Sequence, residues 1–285
     1  MTKVALVLEG GSMRGLYTAG VLDILMDNKI EVDGIVGTSA GALFGPNYFT
    51  NQRGRVIRYN KRFCKDRRYI SFWSFIFTGN IVNKNFAYHK VPEKLDPFDN
   101  ELFMKLNKEL VVTATNIETG EPEYIKVTDT YKQIEAFRAT SAVPIMTKPV
   151  NYEGKTYLDG GISDSIPVRK ALELGYDKVI VVLTQPASYK KQPLSDKKKS
   201  FIHFEYKKYP KLIERMENRH NEYNETIKYI KELERKGEIF VIRPSETLDI
   251  KLIERNPDEM ERIYQIGIKD AKKRIKDLKK YLFKL

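Results

Sequence analysis

Over the first 186 residues, short runs of aliphatic and β-branched residues alternate with stretches whose apolar positions recur every three or four residues. Parallel strands joined by covering helices produce that alternation. Residues 3–8 read as a buried strand, 16–26 as a helix, 32–36 as a second strand and 39–48 as the helix after it. Residues 110–115 and 179–183 read as further core strands, and 239–242 as a late strand that adds to the same sheet. The pattern predicts an α/β fold of three α/β/α layers with a mainly parallel central sheet, plus a helical C-terminal extension.

A Pro-, Ser- and Lys-rich stretch between residues 185 and 200 marks the expected boundary. It separates residues 1–188 from a basic, mainly helical extension, 189–285, packed on them. Late in that extension, Met260, Ile263, Tyr264, Ile268, Ala271, Ile275, Leu278 and Leu282 form a stripe at helical spacing. Such a stripe suits a helix docked on its own domain better than one lying on a membrane.

Composition narrows the class. With 41% hydrophobic positions in 285 residues the chain buries a full core, which excludes disordered and fibrous classes. No apolar run is longer than residues 179–183, far short of the ~20 residues a membrane-spanning helix needs. Residues 4–8 run straight into Glu9 and a glycine cluster, unlike a secretory leader. The single cysteine, Cys64, excludes an internal disulfide and a cysteine-built metal site. A cytoplasmic protein is expected.

Charge adds a question about partners. The net charge is +12, and residues 190–285 hold 26 Lys+Arg against 17 Asp+Glu, while 1–189 hold 24 against 21. A basic balance attracts anionic partners, phospholipid surfaces and nucleic acid among them, and equally suits a solvated helical surface. Arg53, Arg55, Arg58, Lys61, Arg62, Lys65, Arg67 and Arg68 precede Tyr69, Phe72, Trp73, Phe75 and Phe77. Basic residues beside aromatics suit peripheral contact with an anionic membrane. An amphipathic helix leading into a core segment explains them as well, and a nucleic-acid partner is not expected.

Three short elements carry candidate chemistry. Gly37-Thr38-Ser39-Ala40-Gly41 matches G-x-S-x-G, a sharp strand-to-helix turn that exposes a serine as a nucleophile. Gly37 and Gly41 let the chain fold back, and the helix N-terminus after Ser39 offers free N–H groups to an oxyanion. The same pentapeptide also serves as a purely structural turn. Residues 9–15, Glu-Gly-Gly-Ser-Met-Arg-Gly, follow the first strand. Leu16 and Tyr17 stand where a Walker loop needs Lys and Ser/Thr, and Ser12 spoils a dinucleotide fingerprint. An oxyanion hole or a helix-entry turn remains. Asp159-Gly160-Gly161 places a carboxylate at the end of a strand-like segment, a pattern that ordinary turns share.

The histidines decide between bases. His89, His203 and His220 are the three present, and Ser39, Asp159 and one of the last two give the nominal order of a Ser-Asp-His hydrolase. Both late histidines sit in charged, helix-like sequence rather than in a loop after a core strand. Without histidine the base must be a carboxylate, and Asp159 has the most suggestive context.

Together these elements resemble the patatin-like phospholipase family. GGSMRG at 10–15, GTSAG at 37–41 and DGG at 159–161 stand in that family's order, with residues 139–144, Ala-Thr-Ser-Ala-Val-Pro, similar to its small-residue segment before the aspartate. The resemblance spans roughly residues 4–186, and the basic C-terminal region is similar to the extension of a bacterial subgroup. Two positions depart: Ser12 replaces the third glycine of the family's G-G-G-x-R-G loop, and Ser165-Ile166-Pro167 replaces an Asn-Pro pair. The resemblance implies that 1–188 is a patatin-like acyl hydrolase domain acting on lipid esters, with no metal and no organic cofactor. It implies a Ser39–Asp159 dyad, and an oxyanion hole from the N–H groups of Gly10, Gly11 and Ser12, with Ala40 as a further donor. Arg14, Gly37, Gly41 and Gly160 would support the site, Arg14 by holding the loop or attracting a phosphate head group. The alternative is a catalytically weak or inactive membrane- or partner-binding protein that kept the fold while Ser12 weakened the site.

Overall fold

The computed structural model describes residues 2–283. Eight strands form one mixed sheet: β1 (Val4–Leu8), β2 (Gly34–Thr38), β3 (Glu109–Asn116), β4 (Pro122–Val127), β5 (Val150–Tyr152), β6 (Lys155–Asp159), β7 (Lys178–Val182) and β8 (Ile239–Ile242). Their order is β5-β6-β3-β2-β1-β7-β8, with β4 also paired to β3. β3, β2, β1, β7 and β8 run parallel, whereas β4, β5 and β6 are antiparallel additions at the β3 end.

Alternation along the strands sorts the core. Leu6 and Leu8 point to one face with Ile35, Leu110 and Ile180, while Ala5 and Val7 point to the other with Val36, Val111 and Val181. Both sets are buried, so the parallel strands read as continuous apolar runs rather than alternating ones. Helices α1 (Gly15–Asp27), α2 (Ala40–Phe44), α3 (Pro46–Phe49), α4 (Arg55–Phe63), α5 (Phe72–Thr78), α6 (Asn100–Leu106), α7 (Ile134–Thr140), α8 (Val168–Glu173), α9 (Asp196–Glu205), α10 (Pro210–Arg235) and α11 (Pro257–Phe283) pack around it. α1, α4 and α11 share the core on the first face, and α8 and α10 that on the second. The result is the α/β/α sandwich with a mainly parallel sheet that the alternation predicts.

The helix expected over 39–48 is divided. α2 ends at Phe44, and Pro46 opens α3, because proline carries no N–H to continue the ladder but is preorganised for a first turn. At the other end, α11 lays Met260, Ile263, Tyr264, Ala271 and Leu278 into the core beside α1. The two helices touch backbone to backbone: a Cβ on Gly267 would stand 2.1 Å from Tyr17 O. Tyr264 Oη completes the contact by donating to Asp23 Oδ2 at 2.6 Å.

Candidate active site

Strand register brings the distant motifs together. β2 ends with Thr38 opposite Thr113, and β6 ends with Asp159 opposite the next residue of β3, Ala114. The two strands therefore finish head to head along β3. Leu8, the last residue of β1, pairs with both Gly37 and Val182, which sets the glycine loop beside the serine turn.

Ser39 caps α2 with φ 52° and ψ −121°. A non-glycine residue held there stores about 1–3 kcal/mol, sustained only by its surroundings. Gly41 shows why small residues flank the turn, since a Cβ there would lie 2.4 Å from Leu8 O. By the same measure Gly37 would meet the Ala42 backbone at 2.8 Å and Gly160 would meet Thr113 O at 2.1 Å. Ser39 N–H donates to Thr140 Oγ1 at 2.9 Å, and Asp159 N–H to Ala142 O at 2.9 Å. The small-residue segment 139–144 thus holds both turns from beneath.

Ser39 Oγ donates to Asp159 Oδ2 at 2.7 Å, and both residues are buried. The other carboxylate oxygen accepts the Gly161 N–H at 2.7 Å. Burial pushes the Asp159 carboxyl above its ordinary range, against the pull of the Ser39 hydroxyl, the Gly161 N–H and the positive charge of Arg219. A carboxylate so displaced is a stronger base than a free aspartate. The histidines are elsewhere: His89 meets Glu93, His203 meets Glu217, and His220 meets the Glu217 carbonyl.

The glycine loop differs from expectation in one donor. Gly10 N–H is already given to the Ser165 carbonyl at 3.1 Å, because residue 165 crosses directly over the end of β1. Gly10 is therefore not a free oxyanion donor. Among the described residues the N–H groups of Gly11 and Ser12 have no acceptor. Ser12 stands at φ 49°, the left-handed region that glycine enters without cost. Arg14 has a buried Nε with no hydrogen-bond partner among the described residues.

On the α1 side of Ser39 opens a cavity of about 210 Å³. Leu43, Phe44, Val91, Phe137, Val143 and Met146 supply much of its wall, and Ser12 and Ser39 stand at its edge. A mainly apolar cavity with Ser39 in its lining suits an aliphatic chain attached to a polar reacting group, although Asn47, Arg55, Asn60 and Thr130 line it too.

A family model described as Patatin-like phospholipase matches residues 6–172. The chain belongs to the patatin-like phospholipase family. A second model, a domain of unknown function (DUF6363), matches residues 209–283. The uncharacterized protein YjjU of Escherichia coli is 32% identical over 190 residues, 65% of this chain and 53% of that protein. Lysophospholipase nte1 of Aspergillus oryzae is 28% identical over 189 residues, 63% of this chain and 12% of that one, and that of Aspergillus fumigatus matches to the same extent. The chain thus spans about half the length of the bacterial relative and a small part of the fungal ones. The crystal structure of VipD from Legionella pneumophila aligns with a TM-score of 0.43 and 15% identity over 95% of this chain and 66% of that one.

In this patatin-like protein two residues near the site make contacts that no motif specifies. Glu9 is buried at the end of β1, accepting from Thr184 N–H at 2.5 Å and Tyr223 Oη at 2.8 Å. Arg219 of α10 stands 3.5 Å from Ser165 Oγ. Neither has a spacing that flags it in sequence; Arg219 is one cation in a long charged helix. The basic run after residue 52 also reads differently in three dimensions. Arg53 pairs with Asp27, Arg55 and Arg58 with Asp96, Lys61 with Glu261 and Arg68 with Asp66. Five of the eight cations thus meet carboxylates within the chain, although Arg53, Arg58 and Arg68 stay more than half exposed. Tyr69 is buried and Trp73 about half exposed, while the side chains of Phe72 and Phe77 lie outside the described residues.

Proposed function

We propose that this protein is a serine acyl hydrolase that cleaves acyl esters of phospholipids or related lipids through a Ser39–Asp159 dyad and a covalent acyl-enzyme. The observation that carries the reading is the 2.7 Å Ser39–Asp159 hydrogen bond at the edge of an apolar cavity. Asp159 takes the Ser39 proton as Oγ attacks the ester carbonyl. The N–H groups of Gly11 and Ser12 receive the oxyanion, with Ala40 N–H at the start of α2 as third donor. Each such donor is worth ~3–4 kcal/mol of barrier. The leaving alcohol takes that proton from Asp159; water then attacks the acyl-enzyme, giving its proton to Asp159, and Asp159 returns it to the Ser39 oxygen as the fatty acid leaves. A lipid alcohol in place of water gives transacylation. The name lysophospholipase carried by the fungal relatives supports a lipid ester as substrate.

No helix among the described residues is long and apolar enough to cross a membrane. We place the protein in the cytoplasm, in peripheral contact with an anionic membrane. The exposed side chains of Trp73, Ile76, Ile145 and Leu252 support this, since Leu252 lines the cavity and Ile145 adjoins its Met146. The engaged Gly10 N–H and the left-handed Ser12 favour a second reading, a non-catalytic lipid-binding protein on the same fold. Turnover of short-chain aryl esters and phospholipids separates them. Hydrolysis lost in Ser39→Ala and Asp159→Asn but kept in His203→Ala and His220→Ala supports the dyad. Absence of hydrolysis by folded wild-type protein supports the binding protein.

A further inference from the structure

The cavity lies on one side of Ser39; on the α10 side three cations gather. They are Arg14 of the glycine loop, Lys191 of the loop after β7, and Arg219 of α10. Arg219 Nη2 stands 3.5 Å from Ser165 Oγ and 3.2 Å from where a Gly161 Cβ would be, beside the loop that follows Asp159. Among the described residues, the Nε groups of Arg219 and Arg14 are both buried without a hydrogen-bond partner. Lys191 Nζ lies over the Tyr223 ring, 4.5 Å from its centre.

The acids nearby have partners of their own, apart from Glu222 Oε2, which is buried with none among the described residues. Glu222 pairs through one oxygen with Arg215. Glu9, within electrostatic range of Arg14 and Lys191, has its carboxyl filled by Thr184 and Tyr223 and is pushed by burial toward the neutral form. Asp159 is pushed the same way. Burial and the charges of Arg219 and Arg14 push the Lys191 amine down to about 7, against the pull of Glu9. A guanidinium keeps its charge in any setting, so two of them half-buried without an ion pair leave donors and positive potential that an anion would satisfy. All three residues keep partial exposure to solvent, although the Nε groups of Arg14 and Arg219 are themselves buried.

We propose that Arg219 and Lys191, together with Arg14, form a subsite for the phosphate of a phosphoester lipid whose acyl chain lies in the apolar cavity. This rests on the acyl-hydrolase reading and deepens it. Ester and phosphate share one glycerol backbone, so an acyl chain in the cavity and an ester at Ser39 carry the phosphate past Ser39 toward α10. Two of the three cations come from beyond residue 172, where the patatin match ends. The C-terminal region would thus select the substrate.

The test compares kcat/KM for lysophosphatidylglycerol and for the monoacylglycerol with the same acyl chain. Wild type should favour the phosphate-bearing ester on the order of ten- to a hundredfold, the worth of charge-assisted hydrogen bonds. Arg219→Gln should bring the ratio close to one, Arg219→Lys should restore part of it, and Lys191→Gln should lower it several-fold. Lys191 sits in a loop, so its variant keeps the test open if Arg219→Gln does not fold. A wild-type ratio near one, or a ratio unchanged in both Gln variants, overturns the subsite. Inhibition by inorganic phosphate without any preference between the esters assigns the cations to free phosphate and overturns the lipid assignment. If wild type cleaves neither these esters nor an aryl ester, the hydrolase reading has failed. The thermal shift given by lysophosphatidylglycerol over monoacylglycerol then decides the subsite: a larger shift that Arg219→Gln removes supports it, and equal shifts overturn it.

Discussion

Residues 6–172 hold every group that would touch the reacting ester, whereas residues 209–283 hold none of them yet cover both faces of the sheet. The first region places its chemistry on backbone turns: a strained serine at φ 52°, a carboxylate at the end of β6, and free N–H groups in a glycine loop. Apart from Arg219, the second works by burial. β8 extends the sheet beside β7, α10 closes one face, and α11 lies against α1 on the other. A turn tolerates few residue types and leaves a signature, whereas a packed helix needs only an apolar stripe. Function concentrated in turns therefore depends on a mass of structure that carries no catalytic motif of its own.

Substitutions should separate the two regions. Ser39→Ala and Asp159→Asn should lower kcat/KM on the order of 10³-fold or more while thermal unfolding stays near wild type. Gly267→Val should do the converse. Its side chain would collide with the Tyr17 carbonyl, costing about 1–3 kcal/mol in urea unfolding with turnover per folded molecule retained. Loss of turnover in that variant while it remains folded would mean that α11 acts on the site directly.

Acidity gives a finer test. Asp159 must be ionised to accept the serine proton, so kcat/KM should fall tenfold per pH unit below a midpoint above 3.8, the ordinary value for an aspartate. The sign for stability is opposite. With its folded value raised, Asp159 contributes stability fully below the unfolded value, and that contribution is lost as pH rises through the raised one. A midpoint at or below 3.8, or one that moves in His203→Ala, would contradict the dyad. The smallest effect is expected at Ser12. Ser12→Gly should relieve the left-handed backbone and raise stability by about 1 kcal/mol, read from the unfolding midpoint.

Much of this was legible in sequence because strands and turns are local. Residues 4–8, 34–38, 109–116 and 178–182 form β1, β2, β3 and β7 close to where apolar runs place them. β4 escaped notice because Pro122–Val127 is half-exposed and mixes Glu and Lys with its apolar positions. The meeting of Ser39 with Asp159 was suggested by motif order, but the reason for it is the register of β2 and β6 along β3, which no single segment encodes. Gly10 was expected to donate to the site; whether an N–H is free depends on Ser165, more than 150 positions away. The arginines after residue 52 were ambiguous for the same reason, since Asp96 and Glu261 decide where Arg55 and Lys61 point. Arg219 was invisible, because a cation in a charged helix has the same composition whether it faces solvent or a carboxylate.

The most direct test of a nucleophilic Ser39 is mass spectrometry of the protein after treatment with a fluorophosphonate, followed by peptide mapping. The account predicts one adduct, carried by the peptide containing Ser39, formed much more slowly in Asp159→Asn and at an unchanged rate in His203→Ala and His220→Ala. An adduct on another residue, or no adduct on natively folded wild-type protein, would contradict it.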